Sequence, residues 1–182
     1  MQEEKEMVNV CLKNGAYKAS MIDIDNIPFD EKLRVNCEMN QCGCFGNNYA
    51  CPPHVGETKD VIAEAKSYKR ALVYQTVGSL TDSFDIEGME EAHKTHNEVS
   101  NRIAKSIAFD FEKCLDLRAG PCKVCKECSV IDNEPCRFPE KKRASLEAYC
   151  INVSSLARNC GMKYINGTNT VTFFGAFLLD GD

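Results

Sequence analysis

Twelve cysteines in a chain of 182 residues carry the most chemistry, and their spacing sorts them. The sharper group follows Gly120-Pro121: Cys122, Cys125, Cys128 and Cys136, in the pattern C-x2-C-x2-C-x7-C. Thiolates are soft ligands that suit iron and zinc. Two-residue gaps let a loop wrap a cuboidal cluster, so that three thiolates reach three iron corners and the fourth arrives from farther away. Here the fourth is Cys136, bracketed by Pro135 and Pro139. A structural zinc ion held by four thiolates is the competing reading, because zinc sites also use closely spaced cysteine pairs. Those sites usually come as two separate knuckles, whereas successive two-residue steps suit a cube better than a tetrahedron. Iron–sulfur is therefore favoured over zinc for this group.

The second constellation is looser: Cys37-x4-Cys42-x-Cys44-x6-Cys51-Pro52-Pro53-His54. Gly43 and Gly46 let the backbone approach an inorganic cluster closely, and Pro52-Pro53 stiffens the chain after Cys51. Cys42 and Cys44 stand too close for both to bind one cube easily. Three arrangements remain open. Cys37, Cys42 and Cys51, with or without Cys44, hold a second [4Fe–4S] cluster, which is the favoured reading. Alternatively three thiolates leave one iron free for a substrate, or both cysteine groups share one cluster. His54 reads as a surface histidine before it reads as a ligand.

Cys11, Cys114, Cys150 and Cys160 stand alone and read as small core residues, with Cys114 at a strand start and Cys150 inside a helix. No G-x-G-x-x-G, P-loop, H-E-x-x-H or G-x-S-x-G motif accompanies the cysteines, so a bound flavin or nicotinamide is unsupported.

The elements that must position these groups follow from periodicity and breakers. Residues 2–13 read as a helix ended by Asn14-Gly15, residues 17–24 as a strand, and residues 29–36 as an approach to Cys37. An irregular cysteine-rich loop covers 37–56. A helix follows at 58–67 and a strand at 70–77. From Ile86 to about Phe111, Ile86, Met89, Ala92, His96, Val99, Ile103 and Ile107 mark one apolar stripe of a long helix. His96 on that stripe reads as a hydrogen-bonded core residue and His93 as exposed. Residues 114–118 form a third strand leading into the cysteine loop at 120–140. Ser145 is expected to cap a helix running to Asn159, and residues 171–179 a last buried strand. The expectation is one α/β domain over 1–182, a small sheet of about four strands with flanking helices and both cysteine loops at one edge.

Composition narrows the class. Apolar residues make up 43% and charged residues 27% of the chain, as in ordinary globular proteins. The net charge of −5 argues against nucleic acid as a partner. Lys141-Lys142-Arg143 is the densest basic run and reads as a solvated surface, with a docking patch for an acidic redox partner or an anionic substrate as its functional reading. The charged N-terminus does not resemble a secretory signal, and no apolar run is long enough for a membrane span. A cytoplasmic location is expected, where clustered cysteines read as metal ligands before disulfides.

With these residues in view, the chain resembles the cysteine-rich family called predicted metal-binding proteins, domain of unknown function 2284. The resemblance rests on Cys37 through Cys51-Pro52-Pro53, on Gly120-Pro121-Cys122-Lys-Val-Cys125-Lys-Glu-Cys128, on Cys136-Arg137-Phe138-Pro139-Glu140 and on Ser145-Leu146-Glu147-Ala148. In that family the place of Cys150 is usually glycine, which implies that it is not an essential ligand, and that of Cys44 is commonly not cysteine, which weakens the case for Cys44 among the metal ligands. The resemblance also draws attention to Arg137, Glu140, Ser145 and Glu147. They read as ion-pairing, capping or surface groups, with a polar wall over the cluster as the functional reading, Arg137 tuning its potential or holding an anion.

The leading expectation is an iron–sulfur protein with one or two [4Fe–4S] clusters, active in electron transfer or small-molecule reduction, with a redox protein or a small molecule as partner. Non-redox catalysis at an open iron and a zinc-stabilised interaction module are the alternatives. Whether the protein is an enzyme, and whether it forms a homo-oligomer, stay open at this point.

Overall fold

The computed structural model describes residues 2–107 and 113–180. Five helices flank a five-stranded mixed sheet: α1 (Gln2–Lys13), β1 (Lys18–Asp23), α2 (Arg34–Glu38), α3 (Thr58–Lys66), β2 (Arg70–Ser79), α4 (Ile86–Ile107), β3 (Cys114–Arg118), β4 (Ala144–Ser145), α5 (Val153–Asn159) and β5 (Thr170–Leu179). The strand order is β1-β2-β5-β3-β4. All neighbours are antiparallel except β3 and β4, which run parallel. The expected α/β class holds, with one strand more than expected.

Strand periodicity explains the layering. Along β2, Leu72 and Tyr74 face one side while Ala71 and Val73 face the other, and β5 alternates in the same way. Leu72, Tyr74, Phe177 and Leu179 pack with Met7 and Cys11 of α1 and with Val99, Ile103 and Ile107 of α4. The opposite side gathers Val61 and Ala65 of α3 and Leu156 and Ala157 of α5. Both strands are therefore covered twice, and their near-continuous apolar composition follows. Tyr74 lies across its strand partner Gly175, where an added Cβ would collide with the phenol ring. Its hydroxyl donates to Ser100 Oγ at 2.7 Å.

The stripe of α4 places His96 in the core, fully buried, with Nδ1 2.9 Å from Thr76 Oγ1. The part of the expected helix at 108–111 lies outside the described residues. His93, expected exposed, is half-buried and donates from Nε2 to the Ala119 carbonyl at 2.9 Å.

The main correction falls between 144 and 159. Ser145 does not start the helix. Ala144 and Ser145 pair with Leu117 and Arg118 as a short parallel strand, and Ser145 Oγ accepts from the Ala148 amide at 3.1 Å. A single 3-10 turn, Glu147–Tyr149, ends at Cys150 with φ 57. A residue there sits in the left-handed region and stops a helix. α5 starts only after Asn152, whose side chain accepts from the Ser155 amide at 3.0 Å. Cys150 is thus core, as expected, but in a turn. Cys114 is exposed at the first residue of β3, contrary to the core expectation.

Candidate metal centre

The loop after β3 is pinned at both ends by one carboxylate. Asp116 is 9% exposed and accepts from Arg118 at 2.7 Å, where the loop leaves the sheet, and from Arg143 at 2.8 Å, where it returns. Between them the chain turns at Gly120, whose φ of 72 is one that glycine adopts freely. It then passes Cys122, Cys125 and Cys128 and folds into a 3-10 turn, Ser129–Asp132, closed by Asn133 at φ 57. Ser129 Oγ donates to the Pro135 carbonyl at 2.8 Å. That reversal brings Cys136 back toward the other three. Cys122, Cys125, Cys128 and Cys136 together line one small pocket, with Tyr49, Val124 and Phe138 beside them.

Two residues of the other cysteine segment complete this ring. The Tyr49 amide donates to Cys128 Sγ at 3.5 Å, and the Asn48 side chain donates to the Cys122 carbonyl at 2.9 Å. The Tyr49 hydroxyl donates to the Glu134 carbonyl at 2.9 Å. Arg137 braces the loop. It donates to the Glu127 carbonyl at 3.0 Å, lies 3.5 Å from Asp132, and is not among the residues lining the ring.

In the first segment Cys37 sits on α2, not in an irregular loop as expected. Asn40 at φ 51 ends that turn, and its side chain accepts from the Phe45 amide at 3.0 Å. Gly46 donates to the Pro52 carbonyl at 2.9 Å, which folds Cys51 back over Cys42 and Cys44. His54 is exposed, as read, with Nε2 3.1 Å from the Gly46 carbonyl.

The thiols of this segment feel one another. Burial pushes Cys51 up to about 12, and negative charge on Cys44, Cys42, Cys37 and Cys122 pushes the same way. Burial also raises Cys37; Arg34 opposes that rise, while Cys42, Glu147 and Cys150 add to it. Cys122 belongs to the other group, so the two sets of thiols adjoin. Crowded thiols resist ionisation until a cation joins them, and a coordinated metal reverses that preference. Cys44 donates its S–H to the Cys42 carbonyl at 3.4 Å and is tied to its own turn.

Arg34 is the residue that sequence reasoning passed over. It is 8% exposed, it donates to the Gly56 and Ala148 carbonyls at 3.2 and 3.3 Å, and its Nε has no partner. A buried guanidinium bonded to two carbonyls can stabilise negative charge beside it, and one helical turn away it opposes the upward push of burial on the Cys37 thiol. The available signal was an arginine three residues before Cys37.

All twelve cysteines lie within the described residues and are free of disulfides. Among the described residues, no three His, Cys, Asp or Glu side chains converge tightly enough to hold a single metal ion. No described helix is long and apolar enough to cross a membrane.

Fold and site together define a cysteine-rich α/β protein with two adjoining thiol groups, one of them lining a common pocket. The chain belongs to the predicted metal-binding protein family, domain of unknown function 2284, whose pattern matches residues 20–179. No curated protein and no solved structure gives a significant match.

Proposed function

We propose that this protein is an iron–sulfur protein of electron transfer or small-molecule reduction, with a [4Fe–4S] cluster held by Cys122, Cys125, Cys128 and Cys136. A second cluster is held by Cys37, Cys42 and Cys51. The observation that carries the reading is the gathering of all four second-loop cysteines around one small pocket, with the Tyr49 amide aimed at Cys128 Sγ. A single zinc ion draws its thiolates to about 2.3 Å from one point, so that the sulfurs lie about 3.8 Å apart. A cube takes them at its outer corners, farther apart, and two-residue steps along the loop suit that wider spacing; among the described residues no three such side chains converge as a single ion would need. When bound, such a cluster supplies one-electron chemistry with little change of geometry.

The residues of the chain have distinct parts in this reading. The cysteines bind, the Tyr49 amide stabilises charge on Cys128, and Arg34 does so at Cys37. Val124 and Phe138 give the ring an apolar wall. The adjacency of Cys51 and Cys122 suits passage of electrons between the two groups. Cys44 bonds to its own turn, which favours three thiolates at the first site and an iron open to a small molecule.

Electron paramagnetic resonance of the reduced protein, repeated on Cys136→Ala and Cys51→Ala, tests the assignment. Each substitution is expected to alter a different component of the spectrum. One shared signal altered identically by both would reduce the two sites to one, and no signal in any form would remove the reading.

A further inference from the structure

A cleft of about 470 Å³ opens between α4 and the start of the second cysteine loop, within the size range of small-molecule sites, roughly 300–1,000 Å³. Its lining is unusual for a chain of net charge −5. Lys94 of α4, Arg118, Lys123, Lys141 and Arg143 all border it, with Glu90 as the acidic member. Arg118 and Arg143 are already held by Asp116, which fixes their guanidinium groups in place. Lys94 lies 3.6 Å from the exposed Glu91, and Lys141 rests 5.2 Å from the Phe138 ring centroid. Five cations against Glu90, Glu91 and Asp116 leave a surplus of two positive charges, and a concave wall concentrates its field.

The same cleft reaches the metal centre. Cys122 lines both the cleft and the ring of second-loop cysteines. His93 stands on the opposite wall, its Nε2 proton on the Ala119 carbonyl, and Gly120 leaves room for it: an added Cβ there would come within 3.3 Å of Nε2.

The geometry points to this cleft as the binding site for a small, multiply charged anion bearing carboxylate or phosphate groups, seated beside the Cys122 thiolate. The lysines attract and hold the anion, and the two fixed arginines shape the floor. This deepens the iron–sulfur reading by naming a substrate class, and it rests on that reading only for the role of Cys122.

Isothermal titration of the full, anaerobically purified protein at low salt tests it, with citrate in one arm and pyrophosphate in the other. Lys94→Glu and Lys141→Glu are expected to weaken binding about tenfold each, as a reversed charge a few ångströms from an anion would. Lys59→Glu, on the exposed face of α3, serves as the control and should leave binding unchanged. Saturation by citrate alone identifies a carboxylate ligand, and saturation by pyrophosphate alone a phosphate ligand. Absence of saturable binding by either up to about 10 mM, or equal weakening by all three substitutions, would overturn the site and leave the cations as mere counter-charge to the thiolates. Iron and sulfide content, measured on the same samples, reports separately on the cluster reading.

Discussion

Cys150 sits at φ 57 with its side chain fully buried, a conformation that costs a residue with a Cβ roughly 1–2 kcal/mol. The family resemblance implied glycine at this place, and the left-handed backbone is the physical reason: glycine adopts it without that cost. Cys150 is therefore a turn residue facing the core, close enough to add to the charge felt by Cys37. His96 is the other residue whose environment has a measurable consequence. Burial foremost, with His93 and Arg118 adding, lowers its pKa to about 3. The folded protein keeps it neutral while the unfolded chain takes up a proton near pH 6.5. That contribution is present at neutral pH and above, and is lost as pH falls from about 6.5 toward 3. Between pH 7 and pH 5 the loss is about 2 kcal/mol. Urea unfolding at both pH values should show this difference in the wild-type protein and its absence in His96→Gln.

At the scale of elements, the second cysteine loop is a parallel crossover from β3 to β4 whose ends meet at Asp116. Arg118 and Asp116 have side chains 12% and 8% exposed, so removing the carboxylate strands a buried cation. Asp116→Ala is expected to cost about 3 kcal/mol and to speed the loss of bound metal to a chelator. Unchanged stability and unchanged release together would show that the loop ends are held otherwise.

The strands β1, β2, β3 and β5 and the helices α1, α3 and α4 were legible in the sequence because each carries a clear period or a breaker at its end. The segment 144–159 was not. Ser145 does receive an amide, as a capping serine does, but Cys150 gives no sequence sign of a left-handed turn, and a two-residue strand has no period to detect. The candidate ligands were legible from cysteine spacing alone. Asn48, Tyr49 and Arg34 were not, because their roles arise from contact with residues far along the chain, such as Asn48 with Cys122 and Arg34 with Ala148.

Taken as a whole molecule, the sheet works as a frame with two covered faces, and both cysteine segments reach one of them: Ala50 is buried in the core on the α3–α5 side and Cys122 packs against it. The second segment hangs from the β3–β4 edge, and the first is fastened to it through Asn48 and Tyr49. Cysteine-bearing loops anchored to one core can hold adjoining thiol groups in fixed relation, which the proposed passage of electrons between them needs. The positive cleft then gives that edge a face suited to anions on an otherwise acidic molecule.

Iron, acid-labile sulfide and zinc analysis of the full chain, purified without oxygen, probes the bonding of these sulfurs most directly. Iron and sulfide in equal amounts, about four of each per occupied site, with little zinc, is the expected result. Zinc in whole-number proportion without sulfide would contradict it.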